Sequence, residues 1–405
     1  KANYQLAGRF APYKIKKLMY STSINPKWIE GTENFWYEWE TSEGKIFYVV
    51  DPIRGKKEQI FDNDKIAAEL TRITLDPWDA QHLPIEKIKF IDQNTLQFEV
   101  KSSQDEEETE EEEDELEEED QEEEEDQEKE KKPKKITFHF EYEIKTQTLR
   151  ELKDWEAPDE HPQWASVSPD GKTIVFARNH NLYMMNSENY KKILDAGRGK
   201  DEKKAKKAIE KVSVNEIQLT HDGEKHFGYA VFERGDTDDE REKNKDKRKQ
   251  TRIYWAKDSK KFAFIRADRR KGKELWVIHS VKNKRPELET YKYDMAGDKD
   301  VAQYEIGIYD LNTQSVLVLD INKFKDQRVG IHSGRQFRYP DSDEPKRTVW
   351  LAEDSKKLYF YRQSRDLHKV DVCVADTETG DVKVLFEEKL NTYVELQRLE
   401  LLKSG

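Results

Sequence analysis

Nucleophilic, acid–base and metal chemistry draw first on Cys, His and Ser in defined settings, and this sequence offers few of them. Its one cysteine, Cys373, lies in the β-forming run 370–375, where a buried structural thiol is the expected role and a nucleophile is not. The nine histidines include His221 and His226, but neither their spacing nor a cysteine partner fits a zinc site. No Gly-x-Ser-x-Gly occurs, so the sharp strand-to-helix turn that presents a nucleophilic serine is missing. We therefore expect no catalytic residue, no metal and no cofactor within these 405 residues.

Charge is the next candidate for chemistry. Lys200, Lys203, Lys204, Lys206 and Lys207 form a basic run, but Asp201 and Glu202 dilute it and no aromatic residue interleaves it for base stacking. It reads as a surface helix, and no nucleic-acid partner is expected. Residues 105–130 hold 21 acidic side chains against one Lys. The net charge of the whole chain is −13, so the remainder is mildly basic, at about +7. Like charges at that density repel and bury nothing, so the tract should be disordered or a solvated helix, with loose Ca²⁺ or a basic partner as the alternatives. It also explains why only 35% of the residues are hydrophobic while 39% are charged. No apolar run approaches the length of a membrane span, and the amino terminus has no apolar signal core. The abrupt start at Lys1-Ala2-Asn3 is that of a processed or trimmed protein.

The elements that would position any site are β hairpins. One phrase recurs: Trp164-Ala165-Ser166-Val167-Ser168-Pro169-Asp170-Gly171-Lys172, Tyr254-Trp255-Ala256-Lys257-Asp258-Ser259-Lys260 and Val349-Trp350-Leu351-Ala352-Glu353-Asp354-Ser355-Lys356. Each copy sets an aromatic strand end before a tight turn, and a run of β-formers follows. Asp and Gly tolerate the positive φ of a two-residue hairpin turn, so each copy predicts two antiparallel strands. Repeated hairpins predict an all-β chain, a β-propeller of four-stranded antiparallel blades carrying charged helical or disordered insertions. After a lead-in over residues 1–30, the propeller is expected over 31–405. A first unit starts at Phe35, and a short helix follows over 64–71. The second unit spans 88–142 and is interrupted by the acidic insertion at 104–135. A third runs over 161–220, its outer strand postponed to 216–220 by a helical insert at 198–212. The fourth spans 227–310, with a charged insertion at 236–250 and a strand at 275–279, and the fifth spans 348–386. A sixth is expected to start at 394–402, where the chain stops inside a blade. That stop predicts a longer polypeptide.

The stretch Trp164 to Tyr183 resembles the third-blade region of the amino-terminal propeller of dipeptidyl-peptidase-IV-type enzymes, a branch of the prolyl oligopeptidase family. The fourth unit strengthens the likeness through Trp255-Ala256-Lys257-Asp258-Ser259-Lys260, Arg285-Pro286, Tyr291-Lys292-Tyr293-Asp294-Met295-Ala296-Gly297-Asp298 and Tyr309-Asp310-Leu311. The resemblance covers most of residues 30–400 and implies a serine peptidase. Its Ser-Asp-His triad would sit in an α/β-hydrolase domain that follows this chain in the same polypeptide, so the chain by itself would be inactive. It further implies a peptide substrate, admits a homodimer, and points to a periplasmic or secreted location. Family members that trim dipeptides hold the substrate's α-ammonium between two glutamates, since carboxylates stabilise a desolvated ammonium. The corresponding region here is Gly228-Tyr229-Ala230-Val231-Phe232-Glu233-Arg234-Gly235-Asp236. Glu233 fits that role, while Arg234 replaces the second glutamate. This departure counts against strict dipeptidyl specificity, because Arg234 would sooner face a substrate carboxylate or carbonyl, or pair with Glu233. The rival reading is a free-standing propeller that binds partners without catalysis.

Overall fold

Runs of β-branched and aromatic residues broken by Asp, Asn and Gly form strands that pair with their neighbours in the chain. The computed structural model describes residues 3–15, 19–105, 135–200, 202–231, 237–281, 285–334, 343–345, 347–397 and 399–401. They fall into two compact units, one reaching to Glu156 and the other starting at Ala157.

The first unit contains two four-stranded antiparallel sheets, each in simple chain order. The strands of one are Lys27–Trp28, Phe35–Thr41, Gly44–Asp51 and Lys56–Gln59; those of the other are Ile85–Phe90, Thr95–Asp105, Lys135–Glu143 and Thr148–Glu151. Between them lies the helix Asn63–Thr74, whose Asp62 side chain accepts from the Lys65 amide and caps its start. Helix and sheets share one core, in which the Phe61 ring lies 5.0 Å from that of Tyr142 and 5.5 Å from that of Phe47. Thr95–Asp105 and Lys135–Glu143 pair directly, with Asp105 opposite Lys135. The acidic tract is therefore an insertion at a hairpin end; residues 106–134 lie outside the described residues.

The second unit contains three more such meanders. Their strands are Ser166–Val167, Thr173–Arg178, Asn181–Asn186 and Ile217–Gln218; Ile253–Trp255, Lys261–Asp268, Gln303–Asp310 and Ser315–Val318; and Arg328–Ile331, Lys357–Gln363, Lys369–Asp376 and Val382–Lys389. Five sheets of one plan make the chain mostly β with repeated blades, as the hairpin phrase predicted. The insert before the fourth strand of the third sheet is two helices, Ser187–Gly197 and Glu202–Lys211.

Several details differ from the sequence expectation. In the first two copies of the repeated phrase the loop is longer than two residues: the Ser168 amide donates to the Thr173 carbonyl at 2.8 Å, and the Ala256 amide to the Lys261 carbonyl at 2.9 Å. The positive φ falls at equivalent places, Gly171 at +73° and Ser259 at +60°. The third copy makes no such hairpin. Lys357–Gln363 pairs instead with Arg328–Ile331, some twenty residues earlier than expected. Gly330 faces Tyr361 across that pair, and a Cβ at residue 330 would fall 2.4 Å from the Tyr361 ring. Only glycine lets the ring lie over the neighbouring strand. The Val349-Trp350 segment is wedged between strands: the Trp350 amide donates to the Trp255 carbonyl on one side, and on the other the Val349 carbonyl accepts from the Gly334 amide, with Trp350 opposite Ser333.

Residues 275–279 are not a blade strand. They belong to a separate two-stranded ribbon, Glu274–His279 with Glu287–Lys292, so Lys261–Asp268 pairs directly with Gln303–Asp310. The expected strand at 394–402 does not form among the described residues; Val394 is buried against Val370 and Val372.

The repeated phrases also touch one another. The Trp255 indole donates to Ser166 Oγ at 3.1 Å, and Ser259 Oγ accepts from the Asp170 amide at 3.0 Å. Equivalent positions of the third and fourth sheets therefore lie side by side, as adjacent blades require.

Candidate functional site

In the second unit a cavity of about 220 Å³ opens where the third and fourth sheets meet the chain that connects them. That connection leaves the third sheet, folds back, and is pinned by its backbone. Ala177 and Lys249 exchange both amide–carbonyl bonds, at 2.9 and 2.8 Å. The Tyr229 amide donates to the His180 carbonyl at 3.0 Å and the Val231 amide to the Gln250 carbonyl at 2.7 Å. On the far wall, the Arg269 amide donates to the His226 carbonyl at 2.9 Å. Four separate stretches are thus held around one space.

A short helix, Asp238–Lys243, closes part of the rim. Its sequence dictates its start: Thr237 caps the Glu240 amide while Glu240 reaches back to the Thr237 amide. Asp238 is buried, 3.3 Å from Arg241 and 3.9 Å from His226 Nε2. Glu242 lies 3.3 Å from His180 Nε2, and Lys245 also pairs with it. Burial pushes the His226 imidazole below its ordinary pKa; Asp238 opposes that shift, while Lys292, Lys225 and Arg241 add to it. His226 therefore favours its neutral form, chiefly because it is buried.

Tyr229, which lines the cavity, joins a cluster of charged side chains. The Arg266 guanidinium contacts Glu305 at 2.6 Å and Asp222 at 2.8 Å, and sits 3.7 Å over the Phe227 ring. The Tyr229 hydroxyl donates to Asp222 at 2.8 Å, and burial pushes the phenol well above its ordinary pKa. Asp222, Arg266 and Glu305 gave no signal in the sequence, because their order along the chain says nothing of their meeting.

Of the sequence-predicted site residues, Glu233 and Arg234 lie outside the described residues. The residues on either side, Val231 and Asp238, both line the cavity. Cys373 is fully buried, and burial pushes its thiol up to about 11, so it carries no nucleophile at neutral pH. His226 reaches Asp238, while His221 is exposed; among the described residues no group of three or more His, Cys, Asp or Glu is arranged to hold a metal.

The sequence matches the model of the dipeptidyl peptidase IV (DPP IV) N-terminal region over residues 125–201 and 209–403. The chain belongs to that family. Among solved structures it is similar to dipeptidyl peptidase 4 of Porphyromonas gingivalis, at 14% identity and a TM-score of 0.41 over 92% of this chain and 41% of that one. A putative dipeptidyl aminopeptidase IV of Bacteroides ovatus is similar at 15% identity and a TM-score of 0.39, over 93% of this chain and 40% of that one. TolB of Acinetobacter baumannii matches at 10% identity and a TM-score of 0.24, over 92% of this chain and 55% of that one. The chain thus spans about two fifths of the length of the two peptidase structures.

Proposed function

We propose that this chain is the substrate-gating propeller region of a dipeptidyl-peptidase-IV-like serine peptidase, working with an α/β-hydrolase domain of the same polypeptide that supplies the triad. The observation that carries the reading is the family match over residues 125–201 and 209–403, which spans the cavity-forming stretches. In this reading a peptide's free amine is held by Glu233, whose flanking residues Val231 and Asp238 line the cavity. Arg234, in place of a second carboxylate, pairs with Glu233 or faces a peptide carbonyl or carboxylate. The protein works in the periplasm or outside the cell, and a homodimer is compatible with this role. Among the described residues, no helix is long and apolar enough to cross a membrane.

The test is kinetic, in the polypeptide that carries the hydrolase domain. Glu233→Gln should lower kcat/KM for free-amine peptides by roughly tenfold to a hundredfold, the worth of a charged contact of about 1.5–3 kcal/mol, and leave N-acylated peptides unaffected. An equal effect on both substrate types would make Glu233 structural and the enzyme an oligopeptidase or endopeptidase. Loss of a serine-directed phosphonate label from the polypeptide would remove the peptidase reading altogether.

A further inference from the structure

The lead-in stays at the surface along its described length. Of the side chains described in residues 3–15 and 19–26 none is buried. Tyr4, Phe10 and Tyr13 keep 83%, 65% and 64% of their surface in water, and Leu6, Met19 and Ile24 about half of theirs. Two short helices, Tyr4–Arg9 and Pro12–Ile15, carry the first four of these apolar side chains. Helices of this length gain little stability by themselves. Their backbone is nevertheless paired: Asn3 Oδ1 accepts from the Leu6 amide at 2.9 Å, and the Lys14 amide donates to the Ala11 carbonyl at 2.8 Å. Further on, the Ser21 amide donates to the Glu40 carbonyl at 3.2 Å and the Glu40 amide to Ser21 Oγ at 2.9 Å, which ties the segment to the strand Phe35–Thr41.

The charge of this segment has one sign. Residues 1–27 hold six Lys or Arg and no Asp or Glu, in a chain whose net charge is −13. Arg9 and Lys14 are exposed, and among the described residues neither joins an ion pair. Lys1, Lys16 and Lys17 belong to the run by sequence and lie outside the described residues. Exposed charges act over about 8 Å at physiological salt, so the local sign of a surface segment governs what it meets at contact. Two copies of the lead-in would bring like charges together with no carboxylate between them. An exposed aromatic surface interspersed with free cations, its backbone paired internally, fits instead the boundary between anionic headgroups and acyl chains. The Lys-rich helix Glu202–Lys211 differs, because its one large apolar side chain, Ile209, packs into the protein.

We propose that the lead-in is a reversible membrane-surface attachment, which lays Phe10 and Tyr13 into an anionic lipid surface with Arg9 and Lys14 at the level of the headgroups. The inference goes beyond the reading above and does not depend on it, since adsorption to lipid needs no hydrolysis.

Vesicle sedimentation of the natural full-length polypeptide, and then of this chain, tests it. Both should bind vesicles of phosphatidylglycerol and phosphatidylcholine in equal parts at least about tenfold more tightly than vesicles of phosphatidylcholine alone, and the ratio should shrink as salt is raised. Phe10→Ser with Tyr13→Ser should abolish binding even at low salt, whereas Arg9→Gln with Lys14→Gln should reduce the preference for the anionic vesicles. All four side chains are exposed, so neither pair of changes should lower the melting temperature; a fall would mark them as packed residues and overturn the proposal. Absence of binding, equal binding to the two vesicle types, or binding that survives both pairs of changes would also overturn it. So would binding by this chain but not by the full-length polypeptide, which would show that the rest of the polypeptide covers the lead-in. Self-association without lipid that Phe10→Ser with Tyr13→Ser removes would assign the surface to a second copy and equally refute the lipid site. Peptidase activity plays no part in these readouts, so failure of the peptidase reading leaves them intact.

Discussion

Asp105 and Lys135 face each other across the hairpin of the second sheet, with Lys135 Nζ 2.5 Å from Asp105 Oδ1, although they stand thirty positions apart in the chain. The ladder runs almost unbroken from Thr95 opposite Glu143 to this pair, with one register shift near its end. The strands on both sides of the acidic tract thus hold their pairing in the body of the sheet.

Replacing residues 106–134 by a short Asn-Gly turn should therefore leave stability unchanged or raise it by up to about 2 kcal/mol, because closing a shorter loop costs less entropy. Thermal melts of the shortened and intact chains check this. A clear fall in melting temperature would show that the tract contributes contacts, and its dependence on salt would identify them as electrostatic.

Arg362 and Asp371 form an ion pair at 2.8 Å with both side chains almost fully buried, directly opposite each other in the fifth sheet. Arg362 also donates to the Ile321 carbonyl at 3.2 Å. Arg362→Met would leave a buried carboxylate without its cation and should cost about 3–5 kcal/mol. Combining it with Asp371→Leu should recover most of that loss, since two apolar residues need no partner there. Denaturant melts of the single and double variants decide the point, and a double variant as unstable as the single one would refute it.

Four imidazoles, those of His139, His161, His226 and His332, are held below their ordinary pKa of 6.5, with burial as the leading cause in each. The unfolded chain therefore binds more protons than the folded one once the pH drops below about 6.5, and stability must fall with pH through that window. The melting temperature should decline between about pH 7.5 and pH 5.5, ahead of the carboxylate range. His332 is shifted by burial alone, so His332→Gln should flatten the slope. A flat profile in the parent chain would contradict the assignment.

Hairpins are legible in a sequence because both strands and the turn are close along the chain. The Asp170-Gly171 and Asp258-Ser259 turns, the meander around Phe35 and the helix Asn63–Thr74 could all be anticipated from residue types and spacing. The third copy of the phrase shows the limit. Val349-Trp350 has the same local pattern as Tyr254-Trp255, but Arg328–Ile331 takes the place beside Lys357–Gln363 because Gly330 lets Tyr361 pack over it. Likewise the run 275–279 alternates as a blade strand would, yet it pairs with Glu287–Lys292 in a ribbon, a choice between equally good β partners that alternation cannot make.

The candidate site was least legible of all. Resemblance pointed to Glu233 and Arg234, but the wall around the cavity comes from stretches as distant as Ala177 and Tyr304. His226, considered in the sequence only as a metal ligand, stands beside Asp238, and Arg266 finds Asp222 and Glu305. The sequence by itself determined the β class, the repeat and the place of the acidic insertion, since each depends on periodicity, turn chemistry or charge read within short windows; the family came from the likeness of particular stretches such as Tyr291 to Asp298. The competition among strands, the buried ion pair and the lining of the cavity were decided only by the tertiary structure, because long-range packing sets which distant charges share a low-dielectric space and which must face water.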